Sequence, residues 1–121
     1  ERAIALKPDF ASARANLGQV RLAQGQMAKG WADYEWRWRT PEFGRVRRPF
    51  EQPLWQGEPG EGRTLLIHAE QGLGDTLQFC RYAPYAVARG FKVVLEVQRP
   101  LVRLLRQLEG LEVMARGDEA P

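Results

Sequence analysis

The sequence predicts an α/β fold in which a three-stranded parallel sheet follows a group of helices. Three short apolar runs lie at residues 64–68, 92–97 and 111–115. Segments with helical periodicity separate them, and this alternation is typical of a parallel sheet with right-handed crossovers. Residues 1–39 have helical periodicity without strand-like runs. We therefore expect two structural parts, with the strands of the second in the order 3-2-1.

The first part is predicted to contain three helices, at residues 1–7, 11–23 and 27–39. Pro8 ends the first because a proline disfavours the helical conformation of the preceding residue, and Gly25 separates the other two. The inner positions predicted for the second helix are Ala13, Leu17, Val20 and Ala23. The apolar face predicted for the third helix consists of Met27, Trp31, Tyr34 and Trp38. We expect the two tryptophan rings of this face to be buried.

A linker with little regular structure is predicted at residues 41–63, which hold four of the eight prolines and four glycines. Arginines gather near its start, around Trp38 and Phe43. These arginines are Arg37, Arg39, Arg45, Arg47 and Arg48. Basic residues among aromatic ones suggest a nucleic-acid surface, and a solvated arginine face with a few ion pairs is the alternative. The net charge of +3 is modest, which favours the second interpretation.

The second part, residues 64–121, begins with a strand and a predicted helix at 76–89. Pro84 lacks the N–H that a helix interior needs, so we expect a kink or a break there. Pro100 opens a second helix at its first turn, where a missing N–H costs nothing, and Gly110 ends it before the third strand.

The candidate site is the turn that joins the first strand to the first helix. Ligands of parallel sheets bind outside the carboxyl ends of the strands, and free N–H groups at a helix start attract anions. Glycines allow the backbone to bend tightly and to approach a ligand closely. The substrate-binding residues predicted in this turn are Glu70, Gln71, Gly72 and Gly74.

Asp75 follows the turn and has two interpretations. With Gln78 three residues later it forms a capping box, in which Asp75 is the N-cap of the helix. A carboxylate beside a glycine turn is also suited to accept a proton as a general base. The two roles are compatible, because one oxygen can cap the helix while the other faces a ligand.

The glycine turn partly matches the GxGxxG dinucleotide fingerprint. Leu77 stands where the third glycine belongs, and Glu96 lies near the position of the ribose-binding acid. An incomplete fingerprint makes dinucleotide binding the minor alternative. His68 is the only histidine, which argues against a metal centre, and we interpret it as a hydrogen-bonded residue beneath the turn.

Residues 1–40 resemble the tetratricopeptide repeat, a 34-residue helix pair. The resemblance rests on Ala3, Pro8, Leu17, Gly18, Gly25, Gly30 and Tyr34. Arg14 and Arg21 depart from it, since the motif has aromatic residues there. Arg37 stands where a small residue would admit another repeat. The resemblance therefore implies the last repeat of an array that binds a protein or a peptide.

A second resemblance covers nearly the whole chain. GWADYEWRW, Trp55 with Gly57, LLIHAEQGLGDTLQFCRY and KVVLEVQRPLVRLL are similar to bacterial proteins that join tetratricopeptide repeats to a glycosyltransferase-like domain. Residues 64–121 resemble the first half of a GT-B glycosyltransferase, a Rossmann-like half-domain found in heptosyltransferases. The tandem arrangement also resembles O-linked N-acetylglucosamine transferase.

This second resemblance implies sugar transfer from a nucleotide sugar to an acceptor hydroxyl, with Asp75 as the base and without a cofactor. The donor site lies mostly in the second half of such enzymes. We therefore expect the chain to be an inactive fragment of a longer protein. The alternative is a non-catalytic module, in which the repeats bind a partner protein beside a degenerate α/β domain.

The amino-acid composition limits the cellular compartment and the partners that we expect for this chain. One cysteine, Cys80, permits no intrachain disulfide and indicates a reducing, cytoplasmic compartment. The sequence has no apolar run of membrane-spanning length, so we expect no membrane partner. A truncated sheet would leave the first strand on an open edge, and we therefore predict that the fragment self-associates.

Overall fold

The computed structural model describes residues 2–44 and 47–118. The chain divides into two compact units, the first ending at Gln52 and the second beginning at Pro53. The first unit is helical, and the second contains the sheet. Among the described residues, no helix is both long and apolar enough to cross a membrane.

The first unit contains four α-helices and one 3-10 segment among its described residues. They are α1 (Arg2–Leu6), α2 (Ala11–Ala23), α3 (Met27–Tyr34), the 3-10 segment Glu35–Arg39 and α4 (Pro41–Gly44). The predicted third helix therefore stops as an α-helix at Tyr34 and continues as a tighter 3-10 turn. Gly25 has a φ of +77°, so it adopts the left-handed conformation that separates α2 from α3.

Two glycines allow the backbones of α2 and α3 to approach closely. A Cβ atom on Gly18 would lie 2.5 Å from the backbone nitrogen of Tyr34. A Cβ atom on Gly30 would lie 2.8 Å from the side chain of Leu22 and 2.9 Å from its backbone nitrogen. Neither position has room for a larger residue, so these two small residues determine how closely the helices pack.

The buried face of this helix pair differs from the predicted one. Its buried positions are Ala15, Gly18, Gly30 and Asp33. The prediction was wrong for Val20 and Ala23, which are exposed, and for Trp31, whose exposed fraction is 45%. Met27 is also exposed, and Trp38 is half-buried. Where the helices touch at Gly18 and Gly30 there is no room for a further large side chain, so Val20, Met27 and Trp31 lie outside this contact.

Asp33 is buried although it is acidic, with an exposed fraction of 8%. Arg21 Nη1 contacts Asp33 Oδ2, and Arg14 Nη1 lies 3.9 Å from Asp33 Oδ1. Arg14 Nε also donates to the carbonyl oxygen of Pro8 over 2.7 Å. Burial of a carboxylate is costly unless it is paired. The two arginines that depart from the repeat pattern are thus explained by the acid that they neutralise.

The second unit is built on a parallel sheet whose strands have the predicted bounds. These strands are β1 (Thr64–His68), β2 (Lys92–Val97) and β3 (Leu111–Ala115). The order is β1-β2-β3, so β2 lies in the middle. In the register, His68 is the partner of Glu96, and Glu96 is the partner of Met114.

The helices of the second unit are α5 (Leu73–Phe79), α6 (Ala83–Ala88) and α7 (Val102–Leu105). Pro84 lies in the first turn of α6, and a 3-10 turn at Cys80–Tyr82 separates α6 from α5. The predicted break at Pro84 is therefore confirmed. The first helix begins at Leu73 and not at Thr76, so the predicted start was wrong by three residues.

The core of this unit lies on one face of the sheet. Val93, Leu95 and Val97 alternate along β2 and pack with Ala83 and Ala86 of α6. Other core members are Phe91, Leu101, Leu105 and Val113. The opposite face of β2 is buried too, since Glu96 has an exposed fraction of only 3%.

Candidate functional site

The turn after β1 lies at the carboxyl end of the parallel strands. Only four residues separate His68 at the end of β1 from Leu73 at the start of α5. Ala69 N donates to the carbonyl oxygen of Glu96 over 2.9 Å, which extends the β1–β2 pairing by one residue. The turn is therefore fixed to the middle strand, at the edge where parallel sheets bind ligands.

Gln98, the first residue after β2, holds this turn from the other side. Gln98 Nε2 donates to the carbonyl oxygen of Gln71 over 2.9 Å. Its Oε1 lies 3.0 Å from the hydroxyl of Thr76, a buried side chain in α5. The same hydroxyl lies 3.2 Å from the carbonyl oxygen of Gly72, so its one proton is donated to either acceptor. One amide side chain thus bridges both ends of the glycine turn.

Asp75 lies at the third position of α5, and the prediction that it is the N-cap was wrong. The N-cap is Gly72, and Asp75 Oδ2 accepts a hydrogen bond from Gly72 N over 3.1 Å. The carboxylate therefore supplies the acidic half of a capping box, reaching back to the N-cap amide. Asp75 is exposed, and within the described chain its Oδ1 accepts no hydrogen bond. One oxygen caps the helix and the other is open to solvent.

The two glycines of the turn do not have the left-handed conformation that a tight glycine bend suggests. Gly72 has a φ of −75° and a ψ of 172°, which is extended backbone. A Cβ atom on Gly74 would meet nothing within 4 Å. The turn is closed by the hydrogen bond that Gln98 donates to Gln71 O and the one that Asp75 accepts from Gly72 N, so the bend does not require glycine. Because Gly72 and Gly74 have no side chains, the backbone of the turn stays exposed at these two positions.

Glu70 and Gln71 form the rest of the predicted binding set. Gln71 Nε2 donates to Glu70 Oε1 over 3.3 Å, and both residues make further contacts. Gln71 is exposed and Glu70 is half-buried. All five predicted site residues therefore fall within one short stretch at the carboxyl edge of the sheet, and their role in binding stays a prediction.

His68 and Glu96 are brought side by side by the register of β1 and β2. His68 Nδ1 lies 3.4 Å from the carbonyl oxygen of Ala69. His68 and Glu96 each make further contacts. This agrees with the interpretation of His68 as a hydrogen-bonded residue beneath the turn. Nowhere among the described residues do three His, Cys, Asp or Glu side chains come together in a group that could hold a metal ion.

Sequence reasoning missed Gln98 and Thr76. Their contact joins positions 22 residues apart, and neither residue type signals a site by itself. The position of Gln98 in the sequence could have predicted its role, because residues that directly follow neighbouring parallel strands meet at the same edge of the sheet. Gln98 directly follows β2, next to the strand that leads into the glycine turn.

The arginines of the first unit stack on aromatic rings. The guanidinium carbon of Arg37 lies 4.7 Å from the ring centre of Tyr34 and 4.6 Å from that of Trp38. Arg37 also pairs with Glu35 over 2.7 Å. Arg47 lies 6.0 Å from the Trp38 ring centre, whereas Arg45 lies outside the described residues. Some of these arginines therefore interact with aromatic rings and an acidic side chain of their own unit.

An open depression at the other end of the sheet is not part of the candidate site. It is lined by Thr64, Lys92 and Glu112, among others, at the amino-terminal ends of the strands. Ligands of parallel sheets bind at the carboxyl ends. We therefore place the site at the glycine turn.

The fold and the site together define an α/β protein with a parallel sheet and a candidate ligand site at its carboxyl edge. The chain is similar to Protein FlbA of Caulobacter vibrioides, with 36% identity over 103 residues. The match covers 79% of this chain and 17% of that protein, so the chain spans about a sixth of its relative's length. No known protein family matches the chain, and no solved structure does.

Proposed function

We propose that this chain contributes the acceptor side of a glycosyltransferase-like site in a longer protein. The observation that carries the proposal is the state of Asp75, which is exposed at the carboxyl edge with one oxygen engaged by Gly72 and the other open. A carboxylate held in this way is oriented by its own helix and still has a lone pair for a substrate. The resemblance of the turn to the heptosyltransferase glycine loop points in the same direction.

In the proposed reaction, Asp75 accepts the proton of an acceptor hydroxyl while the hydroxyl oxygen attacks the sugar carbon of a nucleotide sugar. A carbon–oxygen bond forms to the acceptor, and the bond between the sugar and the nucleoside diphosphate breaks. The proton ends on the Asp75 carboxylate, and the diphosphate leaves with the electron pair. The turn residues Glu70 and Gln71 would orient the acceptor, and residues outside this chain would bind the nucleotide.

The test uses the longer protein in two steps. First, a panel of nucleotide sugars is screened by thermal shift, because a ligand that binds the native state raises the unfolding temperature. Second, turnover is measured for Asp75→Asn, whose amide oxygen still accepts the Gly72 hydrogen bond. If Asp75 is the base, turnover falls by about a hundredfold or more. Unchanged turnover would limit Asp75 to its capping role.

A second candidate is a non-catalytic interaction module. The helix pair of the first unit and its resemblance to a tetratricopeptide repeat favour this alternative, since repeats of this kind bind other proteins. In that case no nucleotide sugar would stabilise the longer protein, and Asp75→Asn would have no effect beyond folding. We rank it second because the more specific of the two resemblances, which covers nearly the whole chain, is to proteins with a glycosyltransferase-like domain.

A further inference from the structure

Trp36 is the centre of a small basic cluster in the first unit. The guanidinium carbon of Arg39 lies 4.2 Å from the centre of the Trp36 ring, and that of Arg14 lies 4.5 Å from it. Arg14 belongs to α2, whereas Trp36 and Arg39 belong to the 3-10 segment. We call these three residues the Trp36 cluster. It brings two cationic groups that are distant in the sequence onto one ring.

The positive charge of the Trp36 cluster is not balanced within the described part of the chain. Arg39 is exposed and has no acidic partner among the described residues. Arg14 lies 3.9 Å from Asp33, but that carboxylate is also contacted by Arg21. The first unit as a whole has ten basic and six acidic residues. An anion bound between Arg14 and Arg39 would relieve the repulsion of the two guanidinium groups.

The cluster is also pre-organised for such an anion. A guanidinium over an aromatic ring loses part of its rotational freedom and keeps N–H donors at its rim for a carboxylate. The hydrogen bond from Arg14 Nε to Pro8 O fixes that side chain further. Side chains that are ordered before binding lower the entropic cost of association.

We propose that the Trp36 cluster is a docking site for an acidic segment of a partner protein, whose carboxylates bind Arg14 and Arg39 together. Arginine clusters recognise acidic motifs in this manner. A nucleic acid is the less favoured partner for two reasons. The Trp36 ring is already occupied by two guanidinium groups, so a base finds little surface to stack on. The net charge of +3 is also small for a protein that follows a phosphate backbone.

The test is fluorescence anisotropy of the 121-residue chain with three labelled probes at low ionic strength. The probes are a flexible peptide of alternating Glu and Ser, the same peptide with Gln for Glu, and a thymidine oligonucleotide of equal charge. We expect binding of the Glu peptide that weakens with salt, much weaker binding of the oligonucleotide, and none of the Gln peptide.

Two substitutions at Arg39 locate the site. Arg39→Gln removes the charge and should weaken binding of the Glu peptide about tenfold, the loss expected for a charged hydrogen bond. Arg39→Lys keeps the charge and should weaken it several-fold, because lysine cannot replace the stacked, forked guanidinium. Arg106→Gln is the matched control, since Arg106 is exposed in the second unit and its loss changes the net charge equally.

Either of two results would overturn the proposal. If Arg39→Gln and Arg106→Gln weaken binding equally, the peptide senses only net charge. If the oligonucleotide binds the chain more tightly than the Glu peptide, the partner is a nucleic acid. Arg39 is exposed, so its substitutions should not unfold the chain, and circular dichroism of each variant checks this. The test uses no nucleotide sugar, so it is independent of the proposed transfer reaction.

Discussion

The backbone amide of Gly72 donates to Asp75 Oδ2 over 3.1 Å, and this single hydrogen bond orients the carboxylate that we propose as the base. It also satisfies one of the N–H groups that a helix start leaves without a partner. The same side chain therefore serves the local fold and the candidate site. The two contributions can be separated by choosing substitutions that keep or remove the acceptor oxygen.

The first prediction concerns Asp75 and the stability of the chain. Asp75→Ala should lower the free energy of unfolding by about 1 kcal/mol, since it removes the capping oxygen and a negative charge from the first turn. Asp75→Asn should lose less than half of that, because its amide oxygen accepts the same bond. Chemical denaturation of the three proteins measures the difference. Equal losses for both variants would mean that the charge, and not the hydrogen bond, stabilises the helix start.

The second prediction concerns the contact between Gln98 and Thr76. Gln98→Ala and Thr76→Val should each destabilise the chain by about 1–2 kcal/mol, because each leaves a polar partner without its hydrogen bond. The double variant should lose less than the sum, with a coupling of at least about 0.5 kcal/mol. Gln107→Ala is the control, since the Gln107 side chain is exposed. Strict additivity would contradict a direct interaction between the two side chains.

The third prediction concerns the close approach of α2 and α3. Gly18→Ala should destabilise the chain by about 1–3 kcal/mol, because the new methyl group would lie 2.5 Å from backbone atoms that cannot move independently. Gly74→Ala should be neutral or stabilise the chain by up to about 1 kcal/mol, since a Cβ atom there meets nothing. Thermal unfolding of both variants checks this. A stable Gly18→Ala variant would show that the helices separate without loss.

The fourth prediction is that lowering the pH weakens the turn that contains Glu58 and contacts Trp55. Backbone hydrogen bonds from the N–H groups of Glu58 and Gln56, the latter over 2.9 Å, hold the pKa of Glu58 below its ordinary value. A lowered pKa in the folded chain means that this carboxylate stabilises the turn above the ordinary glutamate pKa. The stabilisation is lost as the pH falls through the lowered pKa. Trp55 Nε1 donates to Glu58 O over 2.9 Å, so its indole N–H resonance reports on the turn.

We therefore expect the Trp55 resonance to move in an acid titration at a pH below the ordinary glutamate pKa. In Glu58→Gln, which cannot titrate, this movement should disappear. Glu61→Gln serves as the control, because Glu61 lies nearby in the chain and should leave the movement in place. A Trp55 titration that persists in Glu58→Gln would assign it to a different acid.

The fifth prediction is self-association of the isolated chain. Within the described residues, β1 is hydrogen-bonded to β2 alone, so its other edge presents unpaired backbone groups. The helical unit also exposes apolar side chains, with Leu6 at 80% and Phe10 at 42%. Light scattering across a concentration series should show a rising average mass. A constant monomer mass at high concentration would contradict the prediction.

Two variants distinguish the surfaces that could mediate this association. Thr64→Lys adds a charge at the exposed start of β1 and should suppress assembly through the sheet edge. Leu6→Ser should suppress assembly through the helical unit. Gln107→Lys controls for the added charge, since it adds the same charge at an exposed site that belongs neither to β1 nor to the helical unit.

Much of the second unit could be predicted because its signals are local. The apolar runs that became β1, β2 and β3 have the observed bounds, and Pro84 interrupts the helix between the first two strands as expected. Strand runs and proline act through the residue itself and its immediate neighbours, so a single sequence contains the information. The location of the candidate site at the turn after β1 follows from the same pattern.

The errors in the helical unit share one cause, which is that the deciding contact joins residues distant in the sequence. Val20 and Trp31 fit the helical period, yet they are exposed because Gly18 and Gly30 bring the two helix backbones into contact. Asp33 is buried because α2 supplies Arg21 as its partner. The helical spacing of apolar residues shows that a helix has an apolar face, but it does not show which residues of that face contact the neighbouring helix.

By itself, the sequence determined the strands, the interrupted helix and the edge of the sheet at which a ligand would bind. Only the tertiary structure decided that Gln98 closes the glycine turn onto Thr76 and that Asp33 is buried against Arg21. The physical reason is the range of the interactions. Backbone preferences act between neighbours, whereas the hydrogen bonds that orient a side chain depend on which segments the fold places together.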